Sequence, residues 1–225
     1  MAERQIVAVG GDPWEMYRRV LDLVPPSPRV LWVGTASAED PSFTLQFYDE
    51  LRDHADIRRV EFFPFPPDDL RELVLSQNVI VVGGGNTANM LAIWRVHGFD
   101  VLLREAWEQG IVLTGSSAGM ICWFEAGVTD SFGLQLDGMR DGLGFLPGSA
   151  CPHYDGEERR RPVYRELVDG GFPAGYAADD CAALHFVGTE LAEVWTTREG
   201  ATAYRVEPGS ETPLPARLVS DASAP

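Results

Sequence analysis

The sequence lacks several features that would place it in other protein classes. Among its 225 residues, no apolar run reaches the roughly 18 residues of a membrane-spanning helix. The amino terminus has no basic segment followed by an apolar one. Lysine and arginine number 18 against 34 aspartates and glutamates, giving a net charge of −16. Because so acidic a surface repels phosphate backbones and anionic membranes, we expect neither nucleic acid nor membrane as partner.

Cysteine is also scarce. Cys122, Cys151 and Cys181 are odd in number, and their spacing fits no metal site. We therefore expect reduced thiols and a cytoplasmic protein. Nucleotide-binding sequences are missing too, since neither Gly-Lys-Ser/Thr nor Gly-x-Gly-x-x-Gly occurs.

What the sequence does contain is an alternation of strand-like and helix-like segments. Apolar runs of strand length occupy residues 5–10, 29–34, 60–63, 78–83 and 111–113. Helical spacing between them predicts an α/β fold, a doubly wound, mostly parallel sheet flanked by helices, with sites at the strands' carboxyl ends. We predict a single domain over residues 1–208 and a frayed tail, rich in proline, serine and alanine, over 209–225.

The most informative stretch is residues 111–125, with the sequence IVLTGSSAGMICWFE. An apolar strand leads into Gly115-Ser-Ser-Ala-Gly119, and the apolar run 120–124 then fits a helix. Small residues around a serine between strand and helix are typical of a nucleophile elbow, whose strained turn exposes the hydroxyl. We therefore predict Ser117 as a nucleophile, with the Ala118 N–H and the helix dipole facing a developing anion. A tight turn with incidental serines is the alternative.

A second glycine-rich turn, Gly83-Gly-Gly-Asn-Thr87, directly follows the buried run 78–83. Consecutive glycines let a backbone approach a ligand closely with its N–H groups free. We predict that the N–H of Gly84 or Gly85 completes an oxyanion hole with that of Ala118, and that Asn86 and Thr87 bind substrate. The alternative is a sharp turn that needs glycine for its backbone angles.

A serine nucleophile needs a base, and His153 is the best-placed histidine. It lies in Cys151-Pro-His-Tyr-Asp155, after a glycine-rich loop, and imidazole titrates near neutrality. We expect His185, by contrast, to pack within a strand. The residues alone leave open which carboxylate orients the imidazole. The candidates are Asp130, Glu125, Asp155, Glu157, Asp179 and Asp180.

The only dense basic cluster is Arg159-Arg160-Arg161. Guanidinium groups bind carboxylates through two parallel hydrogen bonds, so the cluster is a candidate site for an acidic substrate group. Local pairing with Glu157 and Glu158 is the alternative.

The blocks 83–87, 115–119 and Pro152-His153, in this order, resemble those of the peptidase E family of serine peptidases, aspartyl dipeptidases related to cyanophycinases. The resemblance extends from Gln5 to about Tyr204. It implies a fold similar to class I glutamine amidotransferases, with Ser117 as nucleophile and His153 as base. It also implies hydrolysis, without metal or cofactor, of short peptides with an amino-terminal aspartate, by a homodimer.

The same matching implies roles for two further residues. Asp130 falls near the acid of the family's triad, and Arg160 near the arginine that binds the aspartyl side chain. The segment after Ser117 is shorter than in the bacterial dipeptidases, and a glutamate in the triad, as in the cyanophycinase branch, is an alternative.

Three other functions stay open at this point. They are hydrolysis of β-linked aspartyl-arginine peptides, an aminopeptidase activity of broader specificity, and non-catalytic binding of a small molecule. Glutamine amidotransfer is disfavoured, because that chemistry uses a cysteine at the elbow and Cys122 lies beyond it.

Overall fold

The computed structural model describes residues 3–219, which form two β-sheets and seven α-helices. The strands are β1 (Gln5–Val9), β2 (Arg29–Val33), β3 (Asp56–Val60), β4 (Val79–Val82), β5 (Val112–Ser116), β6 (Phe124–Thr129), β7 (Asp137–Met139), β8 (Leu146–Cys151), β9 (Gly175–Ala178), β10 (Ala182–Val187), β11 (Glu190–Thr196), β12 (Ala203–Glu207), β13 (Ser210–Pro213) and β14 (Ala216–Leu218). The helices are α1 (Trp14–Val20), α2 (Pro41–Leu51), α3 (Leu70–Leu75), α4 (Thr87–His97), α5 (Phe99–Glu108), α6 (Ala118–Ile121) and α7 (Arg160–Asp169).

The larger sheet has eight strands in the order β14-β11-β10-β1-β5-β4-β2-β3. Strands β1, β5, β4, β2 and β3 are parallel neighbours, so their carboxyl ends lie at one edge. All four residues of β4 are buried, as expected for a strand covered on both faces, which explains its unbroken apolar sequence. The predicted α/β class, with a mostly parallel sheet flanked by helices, is confirmed.

The second sheet has six strands in the order β13-β12-β9-β8-β6-β7, and the sequence did not indicate it as a separate sheet. Its strands β6, β8 and β9 run parallel. The predicted helix over 120–124 is wrong beyond Ile121, because the chain enters β6 at Phe124. The ring of Phe124 packs edge-on against Phe186 of the larger sheet, with centroids 5.8 Å apart, so tertiary packing decides this boundary.

Two further boundaries differ from the prediction. The strand predicted at 60–63 lies at Asp56–Val60, where it pairs with β2. It ends there because the Glu39 carboxylate accepts the N–H of Phe62 at 2.5 Å in place of a neighbouring strand. Residues 210–213 and 216–218 are not frayed, since they pair as β13 with β12 and as β14 with β11. The remainder of the predicted tail, 220–225, lies outside the described residues, and the single-domain assignment stays a prediction.

Smaller expectations concern the cysteines and His185. All three cysteines are buried and unpaired, as expected for reduced thiols. His185 packs within β10, as predicted, with its Nε2 2.8 Å from Gln5 Oε1. Within residues 3–219, no helix combines the length and the apolar character that crossing a bilayer requires.

The packing of α2 on the larger sheet yields a stability prediction. Phe47 is fully buried and stacks on Trp32, with ring centroids 4.3 Å apart. Phe47→Ala should lower the free energy of unfolding by about 3–5 kcal/mol, because it removes a buried ring and leaves a cavity. Phe43→Ala, on the exposed face of the same helix, should change it by only about 0.5 kcal/mol. Urea unfolding measures both, and equal losses would contradict this packing.

Candidate active site

Ser117 occupies the turn between β5 and α6 in a strained conformation. Its φ is 57° and its ψ −113°, a region that non-glycine residues rarely adopt. Its N–H donates to the carbonyl of Val9 at 3.2 Å, which fixes the turn to the end of β1. The predicted nucleophile elbow is therefore present in its backbone geometry. The helix after it, α6, has only four residues, so the predicted dipole contribution is small.

Gly84 and Gly85 lie beside this serine. A side chain at Gly84 would come within 3.2 Å of Ser117 Cβ and 3.7 Å of Ser117 Oγ, so the Gly84 backbone faces the hydroxyl. Gly85 has a φ of 135°, which favours glycine. Within the described residues, the N–H groups of Gly84, Gly85 and Ala118 donate to no protein acceptor. Free backbone donors beside the hydroxyl of a partly buried serine can stabilise an oxyanion.

His153 follows β8 and contacts a carboxylate. Its Nδ1 lies 2.7 Å from Oδ1 of Asp180, in the connection between β9 and β10. The two side chains are 23% and 30% exposed, so the pair borders solvent. The N–H of His153 donates to the carbonyl of Gly10 at 3.3 Å, one residue beyond the carbonyl that binds Ser117. The end of β1 therefore fixes the backbones of both the serine and the histidine.

No hydrogen bond joins the Ser117 hydroxyl to His153 in the part of the chain that the structure describes. Such bonds often become short only when substrate is bound, so the geometry is compatible with a nucleophile and its base. With Nδ1 facing Asp180, the imidazole has Nε2 free to accept the serine proton.

Gly11 lies against the histidine and the aspartate. A Cβ there would overlap Asp180 Oδ1 and lie 2.5 Å from His153 Nδ1, so only glycine leaves room for the pair. Backbone strain is concentrated here as well. Among the described residues, four of the seven non-glycine residues with positive φ belong to this region, namely Asp12, Ser117, His153 and Cys181. Such strain persists where the surrounding structure enforces it, which is common at functional sites.

The acid beside His153 is Asp180 and not the predicted Asp130. Asp130 is exposed and follows β6, which is the parallel neighbour of β8. It therefore lies at the same sheet edge as His153, but no hydrogen bond joins the two side chains within residues 3–219, and Nδ1 already binds Asp180. The other candidates contact other groups: Glu125 accepts from Gly148 N–H, Asp155 from Asp180 N–H, Glu157 from Arg160 and Asp179 from Thr202 N–H.

Arg160 does not face the site as predicted. Its side chain is only 4% exposed, and its Nε and Nη1 donate to Glu157 Oε2 and to the carbonyl of Val128, each at 2.8 Å. The guanidinium therefore joins α7 to β6 and is not available to a substrate carboxylate. Local pairing with Glu157, the alternative drawn from the sequence, is confirmed.

The side chains of Asn86 and Thr87 are also engaged within the protein. Asn86 caps α4 by accepting the N–H of Asn89 at 2.9 Å, and its Nδ2 donates to the carbonyl of Ser131 at 3.0 Å. Thr87 is buried, 3.5 Å from the hydroxyl of Thr129. They shape the glycine turn, and the prediction that these side chains bind substrate is not supported.

The charged groups around Asp180 differ in protonation behaviour. Burial raises the pKa of Asp179, and a hydrogen bond from Thr202 N–H opposes this only in part. Partial burial would also raise the pKa of Asp155, but hydrogen bonds from Arg198 and from Asp180 N–H bring it below its usual range.

Within the described residues, no group of three or more His, Cys, Asp or Glu side chains is arranged to hold a metal ion.

The sequence did not single out Gly11 or Arg198, and it gave Asp180 only as one of six candidate acids. A weak signal existed for Gly11, because Gly10-Gly11 ends the first predicted strand, a position where functional residues collect in α/β folds. Arg198 lies in an ordinary surface turn, and nothing in the sequence distinguishes it.

Comparison with known proteins gives a family and relatives for the chain. Residues 12–194 match the family described as Peptidase family S51. The chain is 43% identical over 230 residues to the uncharacterized peptidase YgaJ of Bacillus subtilis (strain 168), covering 96% of this chain and 99% of the relative.

Two solved structures share the fold. A peptidase from an acI-B1 Actinobacterium superimposes with a TM-score of 0.70 at 16% identity, over 95% of each chain. A putative peptidase E protein from Listeria monocytogenes EGD-e gives a TM-score of 0.65 at 17% identity, over 85% of this chain and 98% of that one. Identity this low supports the fold alone.

The buried Asp179 leads to a prediction of pH-dependent stability. Its folded-state pKa is raised above the ordinary 3.8, so the charged form costs stability at neutral pH and the cost disappears as pH falls below about 3.8. Asp179→Asn keeps an oxygen for Thr202 N–H and should raise the free energy of unfolding at pH 7. The gain over the wild type should shrink towards acid pH.

Urea unfolding at several pH values measures this difference. Asp49→Asn, an exposed acid on α2, is the control and should change little at any pH. If Asp179→Asn were destabilised equally at every pH, the charge of Asp179 would not be the cause.

Proposed function

The chain belongs to peptidase family S51, the peptidase E family of serine peptidases, and on this premise we propose that Ser117, His153 and Asp180 are its catalytic triad. The observation that carries the proposal is the 2.7 Å contact between His153 Nδ1 and Asp180 Oδ1, next to a serine with a φ of 57°. A nucleophile, a base and an orienting acid meet at the carboxyl ends of their strands, where α/β folds place active sites.

Each member of the proposed triad has a defined step. Ser117 Oγ attacks the peptide carbonyl while His153 Nε2 accepts its proton, and the N–H groups of Ala118 and of Gly84 or Gly85 bind the oxyanion. The imidazolium then gives the proton to the leaving amine, which departs and leaves an acyl-enzyme. Water, deprotonated by His153, releases the acid product and restores the serine. Asp180 keeps the Nδ1–H tautomer and stabilises the imidazolium.

For the substrate we propose short peptides with an amino-terminal aspartate, as the resemblance to peptidase E implies. An aspartyl side chain needs a cation, and the buried, paired Arg160 does not supply one. This observation favours a second candidate, an aminopeptidase of broader specificity that uses the same triad. The two candidates differ only in the first residue of the substrate that they accept.

Removing the nucleophile is the first test. Ser117→Ala should lower turnover by about 10³-fold or more, because loss of one triad member abolishes covalent catalysis. The melting temperature should be unchanged or higher, since the variant removes only the hydroxyl at a strained position. The assay uses dipeptides that differ only in their first residue.

The pattern of cleavage separates the candidates. Cleavage confined to Asp-X supports the aspartate preference, and cleavage of many first residues supports the broader aminopeptidase. Turnover of β-linked Asp-Arg alone would indicate a cyanophycinase-like hydrolase. A wild type that cleaves nothing, and whose Ser117 no serine-directed acylating reagent labels, would contradict the peptidase proposal.

A matched pair of variants tests the identity of the acid. Asp180→Asn should lower kcat by about 10²–10⁴-fold, because an amide cannot keep the imidazole in the productive tautomer. Asp130→Asn, at the same sheet edge but without contact to His153, should change kcat by less than about 10-fold. Steady-state kinetics on the best dipeptide measures both variants. The opposite ranking would return Asp130 to the triad.

A further inference from the structure

We propose that Asp155 and Arg198 are positioning residues, whose ion pair fixes the backbone of Asp180 and thereby keeps its carboxylate on His153. The inference rests on the proposed function and concerns two residues outside the triad. Neither contacts the reacting atoms, so their effect on catalysis passes through Asp180.

Asp155 and Arg198 contact the backbone of Asp180 at its N–H and at its carbonyl. Asp155 Oδ1 accepts the N–H of Asp180 at 2.8 Å, and Arg198 Nη2 donates to the carbonyl of Asp180 at 3.0 Å. The same Arg198 nitrogen binds the second carboxylate oxygen of Asp155. A single ion pair therefore binds both the amide N–H and the carbonyl of Asp180.

Asp180 needs such support because it lies between two sheets. It follows β9 of the six-stranded sheet and precedes β10 of the eight-stranded one, and among residues 3–219 its one β-type pairing is an isolated bridge to Gly11, outside the strands. Its carboxylate fits a narrow space, since a Cβ at Gly11 or at Gly156 would overlap one of its two oxygens. A small shift of the Asp180 backbone would therefore move the carboxylate off His153 Nδ1.

The ion pair also joins three chain segments. Asp155 is two residues beyond His153, on the same loop, so it moves with the base. Arg198 follows β11, and its turn is fixed by Thr197 N–H, which donates to the carbonyl of Cys181 at 2.9 Å. The loop of the base, the connection of the acid and the turn after β11 are thereby coupled through one pair of charges.

The pair is too exposed to matter much for stability. The side chains of Asp155 and Arg198 are 36% and 47% exposed, and ion pairs at such positions contribute little to folding. Turnover is more sensitive than stability to such a loss, since a displacement of a reacting group by about 1 Å can lower turnover by about 10²-fold. Loss of the pair should therefore reduce kcat in a protein that remains folded.

The test compares Asp155→Ala, Arg198→Met and the double variant with the wild type. Each single variant should lower kcat by about 10–10²-fold with KM changed by less than about 3-fold, because substrate binding does not involve the pair. The double variant should be no worse than the singles, as expected for residues that act as one unit. Arg198→Lys, which keeps the charge, should recover part of the lost turnover.

The pH–rate profile distinguishes positioning from general loosening. The charged groups around His153 are Asp180, which it contacts, and Glu157, with Arg160, Asp155 and Arg198 beyond them. If either variant moves the Asp180 carboxylate off Nδ1, the imidazolium loses the anion that stabilises it, so the acidic limb of kcat/KM should move to lower pH in both Arg198→Met and Asp155→Ala. Shifts of opposite sign would show that the pair acts on His153 through its charges alone and would contradict the inference.

The control is Arg95→Met, which removes a remote ion pair of the same form. Arg95 binds the carboxylate of Asp141 at 2.7 Å and its carbonyl at 2.8 Å, and its loss should leave kcat unchanged. Equal losses of kcat in Arg95→Met and Arg198→Met would overturn the inference. So would an unchanged kcat in both Asp155→Ala and Arg198→Met.

A readout without substrate separates this inference from the proposed function. Nitrogen chemical shifts of isotope-labelled His153 report the imidazole tautomer, which should be Nδ1–H in the wild type and mixed in Arg198→Met. If the wild type hydrolysed no peptide, the proposed function would fail, and this measurement would still decide the positioning role. An unchanged tautomer in Arg198→Met would refute it.

Discussion

The end of β1 is the constraint on which the site depends. The carbonyls of Val9 and Gly10 bind the N–H groups of Ser117 and His153, at 3.2 and 3.3 Å. The nucleophile and its base, from distant parts of the sequence, are thereby fixed to consecutive residues at one strand end. The next residue, Gly11, has no side chain and leaves the space that the His153–Asp180 pair occupies. Three residues of one strand end therefore organise the candidate triad.

The site lies where the two sheets meet. Ser117 and Gly84 follow β5 and β4 of the eight-stranded sheet, whereas His153 and Asp180 follow β8 and β9 of the six-stranded one. Their alignment consequently depends on how the sheets pack, and the contact of Phe124 with Phe186 is part of that packing. The chain passes from one sheet to the other at Asp180. A change in how the sheets pack should therefore displace Asp180 more than Ser117 or His153.

Local chemistry explains which features the sequence could predict. Ser117, Gly84, Gly85 and His153 were predicted as site residues because a strained elbow, a glycine turn and a histidine after a glycine-rich loop each leave a local pattern. Local patterns could not single out the partner of His153 among the six candidate acids. Asp180 lies 27 positions from His153 in the sequence. Their contact depends on the second sheet, which could not be predicted because the sequence pattern after Phe132 is irregular. The burial of Arg160 could not be predicted either, because the sequence of a basic cluster does not show whether its side chains face solvent or pair with a residue such as Glu157.

Stability and alignment have different physical sources in this molecule. Buried apolar contacts, such as that of Phe47 with Trp32, hold the helices on the strands. Deleting buried apolar atoms lowers the free energy of unfolding in proportion to the buried area lost and the cavity volume created. The directions of Ser117, His153 and Asp180 depend instead on a few hydrogen bonds near solvent and on strained backbone angles. Such contacts add little to folding, yet small displacements of reacting groups change rates strongly. It follows that substitutions around the site can remove function from a protein that remains folded, whereas core substitutions affect both.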